Sequence, residues 1–415
     1  MKTKSLLILV AIFSIFTPLV SQNYFLPGDS LLPWEGGNKY YAQWKNGPSA
    51  KPDHFPIAVW WQDIKKAAEY KSIGINYYLY LGTNPVSDQL KALAAFDISV
   101  ACISTESVVK SADNKVVKMW MNPRDEQDNV LKGTSAPVPT AEVIDNYNKM
   151  KADDPTRPVL VPLGQGAAID SWYGRGDRTG HPEDYIEYCK GADIITFDVY
   201  PMNVVPVPED AKPYKKVYSE ELRNNIWYVA KGVDNLRRAT NYKKPIWAWI
   251  ECTNYKGDSS VLLTPHHTKV ETWMAIIHGA RGIGYFCHAF KPTFNQAALL
   301  ADVAMKETVA EVNKQINSLA PVLNTQSISN AATLISSNSA VPIDIMAKRF
   351  KNSTYIFAVS MRPGKTVANI NLRLFKNAQV EVVGENRTIA CVNGTFSDSF
   401  SDYSVHIYKI KNPKL

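Results

Sequence analysis

The stretch WMNPRDEQDN, residues 120 to 129, sets Asp125, Glu126 and Asp128 directly behind an apolar run, and Glu251 closes a second apolar run, IWAWIE. Most other carboxylates are spread along segments that read as helix surfaces. A carboxylate at the end of an apolar strand loses hydration, which is costly unless partners hold the charge or the group does chemistry. Two such carboxyls over one site can divide the work of proton donor and nucleophile.

The elements that must position them are legible as a repeating beat of apolar run, turn and helix. The runs are FPIAVWW (55–61), INYYLYL (75–81), ISVACIST (98–105), VVKMWM (116–121), PVLVPLG (158–164), DIITFDVYP (193–201), KPIWAWIE (244–251) and GIGYFCHAF (282–290). Their near-continuous apolar character suits strands buried on both faces of a parallel sheet. The helix after the first run has Asp63 placed as N-cap and Gly74 as C-cap, and SEELRNNIWYVAKGVDNLRRA reads as one long helix. Eight β-then-α units between about residues 55 and 317 match an α/β fold of the (β/α)8 TIM-barrel type. No GxGxxG follows the first run, which argues against a doubly wound dinucleotide sheet. From residue 328 the pattern becomes short alternating strands between Gly, Asn and Pro turns, as in a small antiparallel β-sandwich. The expected organisation is therefore a barrel with an N-terminal lead over 22–320 and a sandwich over 328–415.

Residues 1–21 read as a signal peptide, with Lys2 and Lys4 before the apolar LLILVAIFSIF and a cleavage site at Leu19-Val20-Ser21, so the protein is expected to be secreted or periplasmic. That run is short for a membrane span. The formal charge is +7, two units of it from the leader lysines, and the remaining Lys and Arg form no basic runs, so nucleic acid is not an expected partner. Five cysteines without a CxxC pair support neither a disulfide framework nor a structural zinc site. Ten Trp and 21 Tyr, many at the ends of apolar runs, offer stacking surfaces for flat, hydroxyl-rich ligands such as sugars.

In a barrel of this kind the site lies at the carboxyl ends of the strands. Glu126 falls just beyond strand four and Glu251 at the end of strand seven. This placement, with the phrases PRDEQDN, DVYP and WIE, resembles the retaining glycoside hydrolases of clan A, whose acid/base Glu follows strand four and whose nucleophile Glu ends strand seven. The resemblance implies that Glu251 is the nucleophile, that Glu126 is the acid/base, and that their carboxyls lie about 5–5.5 Å apart. It also implies that Tyr200 orients the nucleophile, with Asp198 on the same strand face. An Asn usually precedes the acid/base in that superfamily. Here Asp125 takes its place, and its charge is expected to raise the pKa of Glu126, as suits a general acid.

Trp60, Trp61, Trp249, Trp172, Tyr173, Tyr285 and His288 are expected to line a sugar-binding cleft, with Gln165 and Asn254 supplying hydroxyl contacts. The expected activity is hydrolysis of a poly- or oligosaccharide with retained configuration, needing neither cofactor nor metal. Two other readings stand beside it. One is a non-catalytic carbohydrate-binding barrel. The other is a metal-dependent (β/α)8 hydrolase drawing on Asp53, His54, His266, His267 and His288, although no HxH follows the first strand.

Overall fold

The computed structural model describes residues 25–33, 37–82 and 86–413; the expected signal peptide lies outside them. The strands are β1 (Ile57–Trp60), β2 (Tyr77–Leu79), β3 (Ser99–Ile103), β4 (Val117–Met121), β5 (Val159–Leu163), β6 (Ile194–Asp198), β7 (Ile246–Glu251) and β8 (Gly282–Phe286). They run parallel and close into a barrel, β1 pairing with both β2 and β8.

Alternation along each strand sends every second residue inward. Ala58, Trp60, Leu79, Met119, Met121, Leu160, Trp247 and Trp249 share the barrel interior, while Ile57, Val59, Ile195, Phe197, Ala248 and Ile250 belong to the layer beneath the helices. Two indoles fill the interior from β7, and β8 makes room for them: a Cβ on Gly282 would run into the Trp247 ring, and one on Gly284 into that of Trp249. The short helix Gly37–Tyr41 brings in Tyr41, whose hydroxyl accepts from Trp247 Nε1 at 3.1 Å.

Asp63 caps a 3-10 turn, Ile64–Lys66, accepting from the Lys65 N–H at 2.9 Å, and the helix Ala67–Ser72 follows, with Gly74 at φ +87° closing the unit. The segment expected as one long helix is two, Pro213–Leu222 and Tyr228–Ala239. Between them Asn224 adopts φ 61°, a left-handed conformation that asparagine tolerates and that no helix can continue through. At the last barrel helix Asp302 accepts from the Met305 N–H at 3.0 Å and caps Val303–Leu323.

Eight further strands follow: β9 (Ala332–Ser336), β10 (Ile343–Phe350), β11 (Ser353–Ser360), β12 (Thr366–Leu372), β13 (Ala378–Val382), β14 (Arg387–Cys391), β15 (Thr395–Phe400) and β16 (Val405–Lys411). They form a five-stranded sheet, β10-β11-β16-β13-β14, and a three-stranded one, β15-β12-β9, around their own apolar core. This β-sandwich docks on the barrel helices Pro265–Ile277 and Val303–Leu323. Phe357 stacks on Trp273 at 5.9 Å, and Met346 and Val359 join the main core. His278 pairs with Asp234 at 2.9 Å and with Asp344 of β10 at 3.1 Å, an ionic clamp across the junction. The lead is tied on by Asp29, which pairs with the buried Arg349 at 2.7 Å and with Arg373. All five cysteines are buried free thiols, and among the described residues no helix is long and apolar enough to cross a membrane.

Candidate active site

A pocket opens at the carboxyl ends of the strands, lined by Trp60, Asp125, Glu126, Pro162, Leu163, Asp198, Tyr200, Trp249 and Phe286. After β4 the chain stays against β5: the Asn122 N–H donates to the Leu160 carbonyl at 2.8 Å and the Gln127 N–H to that of Pro162 at 3.0 Å. Asp128, fully buried, accepts from the Gly164 N–H at 2.6 Å and from the Tyr185 hydroxyl at 2.5 Å. It is an anchor joining the two loops. The acidic cluster is therefore divided, with Asp128 holding the loop while Asp125 and Glu126 face the pocket.

Glu126 sits at φ 42°, a left-handed conformation of the kind that concentrates at functional sites. Its carboxylate accepts from Asn129 Nδ2, and Asn129 Oδ1 in turn accepts from Trp172 Nε1 at 2.7 Å, which fixes which way the amide points. Asp198, the inward residue ending β6, lines the same pocket as Glu126, and the two carboxyls act on each other's proton affinity. Burial, then the charges of Asp125 and Asp128, raise the Glu126 pKa to about 7, against hydrogen bonds from Asp198 and Asn129 that lower it. Asp198 is pushed well above the usual carboxylate range by burial and by Glu126 and Asp125. Its Oδ1, sealed from solvent, receives no donor from the backbone or from any other side chain. Their mutual interaction favours the proton on Asp198 and the charge on Glu126. Asp125 stands at the rim; desolvation by the surrounding wall lifts its pKa to about 6, an effect limited by the solvent that reaches it.

Glu251 is not part of this group. It shares strand parity with Trp247 and Trp249, but its carboxyl turns aside and is only 1% exposed. It accepts from the Met202 N–H at 2.7 Å, the Asn203 N–H at 3.0 Å and Asn203 Nδ2 at 2.7 Å. Glu271 is also fully buried, and burial and the Glu251 charge keep its pKa well above normal. The expected pairing of Glu126 with Glu251 over the pocket is replaced by Glu126 with Asp198. The physical reason is the 3-10 turn Pro201–Asn203, which presents donors to Glu251 and encloses it. Glu251 thereby braces the turn that begins at Tyr200.

Of the other expected site residues, Tyr200 and Trp249 line the pocket, Tyr200 packing against Phe286 at 5.2 Å and Trp249 edge-on to Trp60 at 5.4 Å. Trp61 lies on the rim. Tyr285 faces outward, its hydroxyl donating to Asn313 at 2.9 Å beneath the last barrel helix; Gly282, Gly284 and Phe286 hold the inward positions of β8. His288 is buried behind Trp61, with Nε2 3.2 Å from its carbonyl oxygen. Gln165 accepts from the Tyr218 hydroxyl at 2.6 Å, and Asn254 donates to the Asp258 carbonyl at 2.8 Å. These four brace loops or core and do not line the pocket. Trp172 and Tyr173 join Tyr214 and Tyr218 in an aromatic cluster beside the site.

His267 serves in the capping box that starts helix Pro265–Ile277, and among the described residues no three His, Cys, Asp or Glu side chains converge to hold a metal. Sequence reasoning missed Asn129, Phe286, Asn203 and Glu271. Three had visible signals: Asn129 stands three residues after Glu126, Phe286 shares strand parity with Gly282 and Gly284, and Glu271 is a carboxylate inside the apolar VETWMAII.

No family model matches the sequence, and no curated protein does. Solved structures match by fold. The alpha-amylase from Geobacillus thermoleovorans aligns with TM-score 0.50 and 10% identity over 88% of this chain and 99% of that one. Alpha-galactosidase I from Mortierella vinacea aligns with TM-score 0.51 and 9% identity over 87% and 98%. The maltogenic alpha-amylase AmyB from Thermotoga neapolitana aligns with TM-score 0.50 and 8% identity over 87% and 99%. The fold is shared with glycoside hydrolases. At these identities the likeness extends to architecture, barrel and β-sandwich together, and not to any individual family.

Proposed function

We propose that the protein is an exported glycoside hydrolase that cleaves a poly- or oligosaccharide with retention of configuration. The observation that carries this reading is that the Glu126 and Asp198 side chains, from the loop after β4 and the end of β6, line one aromatic-walled pocket. Asp198 holds its proton and delivers it to the departing glycosidic oxygen. Glu126, ionised and steadied by Asn129, attacks the anomeric carbon and forms a glycosyl ester. Asp198, now a carboxylate, takes a proton from water, and the hydroxide formed at the anomeric carbon releases the sugar and frees Glu126. Two carboxyls over one pocket can divide the work of nucleophile and proton donor, as a retaining double displacement requires. Trp60, Trp249, Tyr200 and Phe286 provide faces for the sugar ring.

The test is covalent trapping with 2-deoxy-2-fluoro-glycosyl fluorides of gluco, galacto, manno and xylo configuration, in both anomers, followed by peptide mass spectrometry. The label is expected on Glu126. A label on Glu251 would overturn the assignment of roles while keeping the activity. Absence of any label, together with no hydrolysis across a panel of aryl glycosides and polysaccharides, would remove the activity itself.

A further inference from the structure

Beside the pocket, the segments after β1 and β8 leave three large rings in solvent: Trp61 is 42% exposed, Phe290 47% and Phe294 54%. They form one surface. Phe294 lies 6.2 Å from Trp61 and 5.8 Å from Phe290, whose plane it matches to within 25°. The buried His288 ring supports both phenylalanines at 6.0 Å, nearly parallel to each. A contiguous exposed apolar patch of this kind marks a binding surface.

The patch is built into the backbone. Trp61 holds φ 44°, a conformation that a bulky residue keeps only when its surroundings enforce it. Its N–H donates to the Leu79 carbonyl at 2.8 Å, and its own carbonyl oxygen accepts from Gln62 and Gln296 and lies 3.2 Å from His288 Nε2. These contacts turn the indole outward. The surface is also continuous with the pocket. Phe286, which lines the pocket, lies 6.2 Å from Phe290; Trp60, which also lines it, stacks on Tyr80 at 5.4 Å, and Tyr80 reaches Trp61 at 6.3 Å.

We propose that Trp61, Phe290 and Phe294 form a stacking platform for the sugar units that extend beyond the one held in the pocket, so that the substrate is an oligo- or polysaccharide and not a small glycoside. The inference rests on the glycoside hydrolase reading of the pocket. Sugar rings present flat faces of C–H groups that stack on aromatic rings while their hydroxyls stay in water. The unbroken run of rings from pocket to patch selects the substrate itself as occupant, ahead of a protein partner.

The test uses the full chain with Asp198→Asn to stop turnover, and measures binding of malto-, cello-, xylo- and manno-oligosaccharides of two to six units by tryptophan fluorescence and calorimetry. Affinity is expected to rise with length in one series. Phe294→Ala should weaken the six-unit ligand roughly three- to tenfold and the two-unit ligand less. Trp61→Gly, which removes the ring while accepting the left-handed backbone, should do the same. Affinity that does not grow with length, or a length gain unchanged in both variants, overturns the platform and leaves the pocket reading standing. A changed oligomeric state in Phe294→Ala with the length gain intact would assign the patch to an interface between copies, which also overturns the proposal. If no glycan is bound and none is hydrolysed by the unsubstituted protein, both readings fall.

Discussion

Replacing Glu126 by Gln should make the protein more stable, and the gain should depend on pH. Burial and the neighbouring carboxylates raise the Glu126 pKa from 4.5 to about 7. The folded state therefore binds a proton that the unfolded state has lost throughout the interval between those values, and stability falls as pH rises through it. At about 1.36 kcal/mol per tenfold change in proton affinity, ionising Glu126 in place costs about 3 kcal/mol once pH exceeds 8. Solvent reaching the pocket trims this to about 2–3 kcal/mol. Gln keeps the shape and an acceptor for Asn129 and carries no charge, so Glu126→Gln should gain about 2–3 kcal/mol at pH 8 and almost nothing at pH 4. Urea melts of both proteins at several pH values measure the difference. A gain that is flat with pH, or a loss at pH 8, would refute the account of a strained, desolvated carboxylate beside a protonated Asp198.

Three further outcomes follow from the same geometry. With Glu126 as the group that must be ionised, kcat/KM should rise with pH through about 7; Asn129→Ala, removing a donor to that carboxylate, should move this limb up by about one pH unit, and an unmoved limb would show that Asn129 does not steady the charge. Glu251→Ala strands the Met202 and Asn203 donors in a dry interior and should cost about 3–5 kcal/mol in a denaturant melt; a variant that melts like the parent yet loses all turnover would return Glu251 to the chemistry. At the junction with the sandwich, burial would lower the His278 pKa, but Asp234 and Asp344 raise it from 6.5 to about 9. Its stabilising effect is full below 6.5 and lost as pH rises through 9, so His278→Gln should cost about 1–2 kcal/mol at pH 6, after allowance for the exposed carboxylates, and nothing at pH 10.

The eight apolar runs were enough to place every barrel strand, because a strand buried on both faces must be apolar throughout, and the switch to short alternation announced the sandwich. Glu126, Asp198, Tyr200 and Trp249 were likewise visible, as polar or aromatic residues at strand ends. Strand parity, counted from Gly282 and Gly284, would also have turned Tyr285 outward and put Phe286 in the pocket. What composition and spacing could not determine was the destination of a flexible side chain. Parity gives the direction of a Cβ, whereas the Glu251 carboxyl lies further out and can swing to either side of the barrel rim. Its direction was decided by donors from Met202 and Asn203, on another βα unit, and by Glu271, from the next helix. The mutual influence of Glu126 and Asp198, 72 residues apart in sequence, has the same origin: barrel closure brings β4 and β6 around one pocket, and only there does desolvation make two ordinary carboxyls depend on each other.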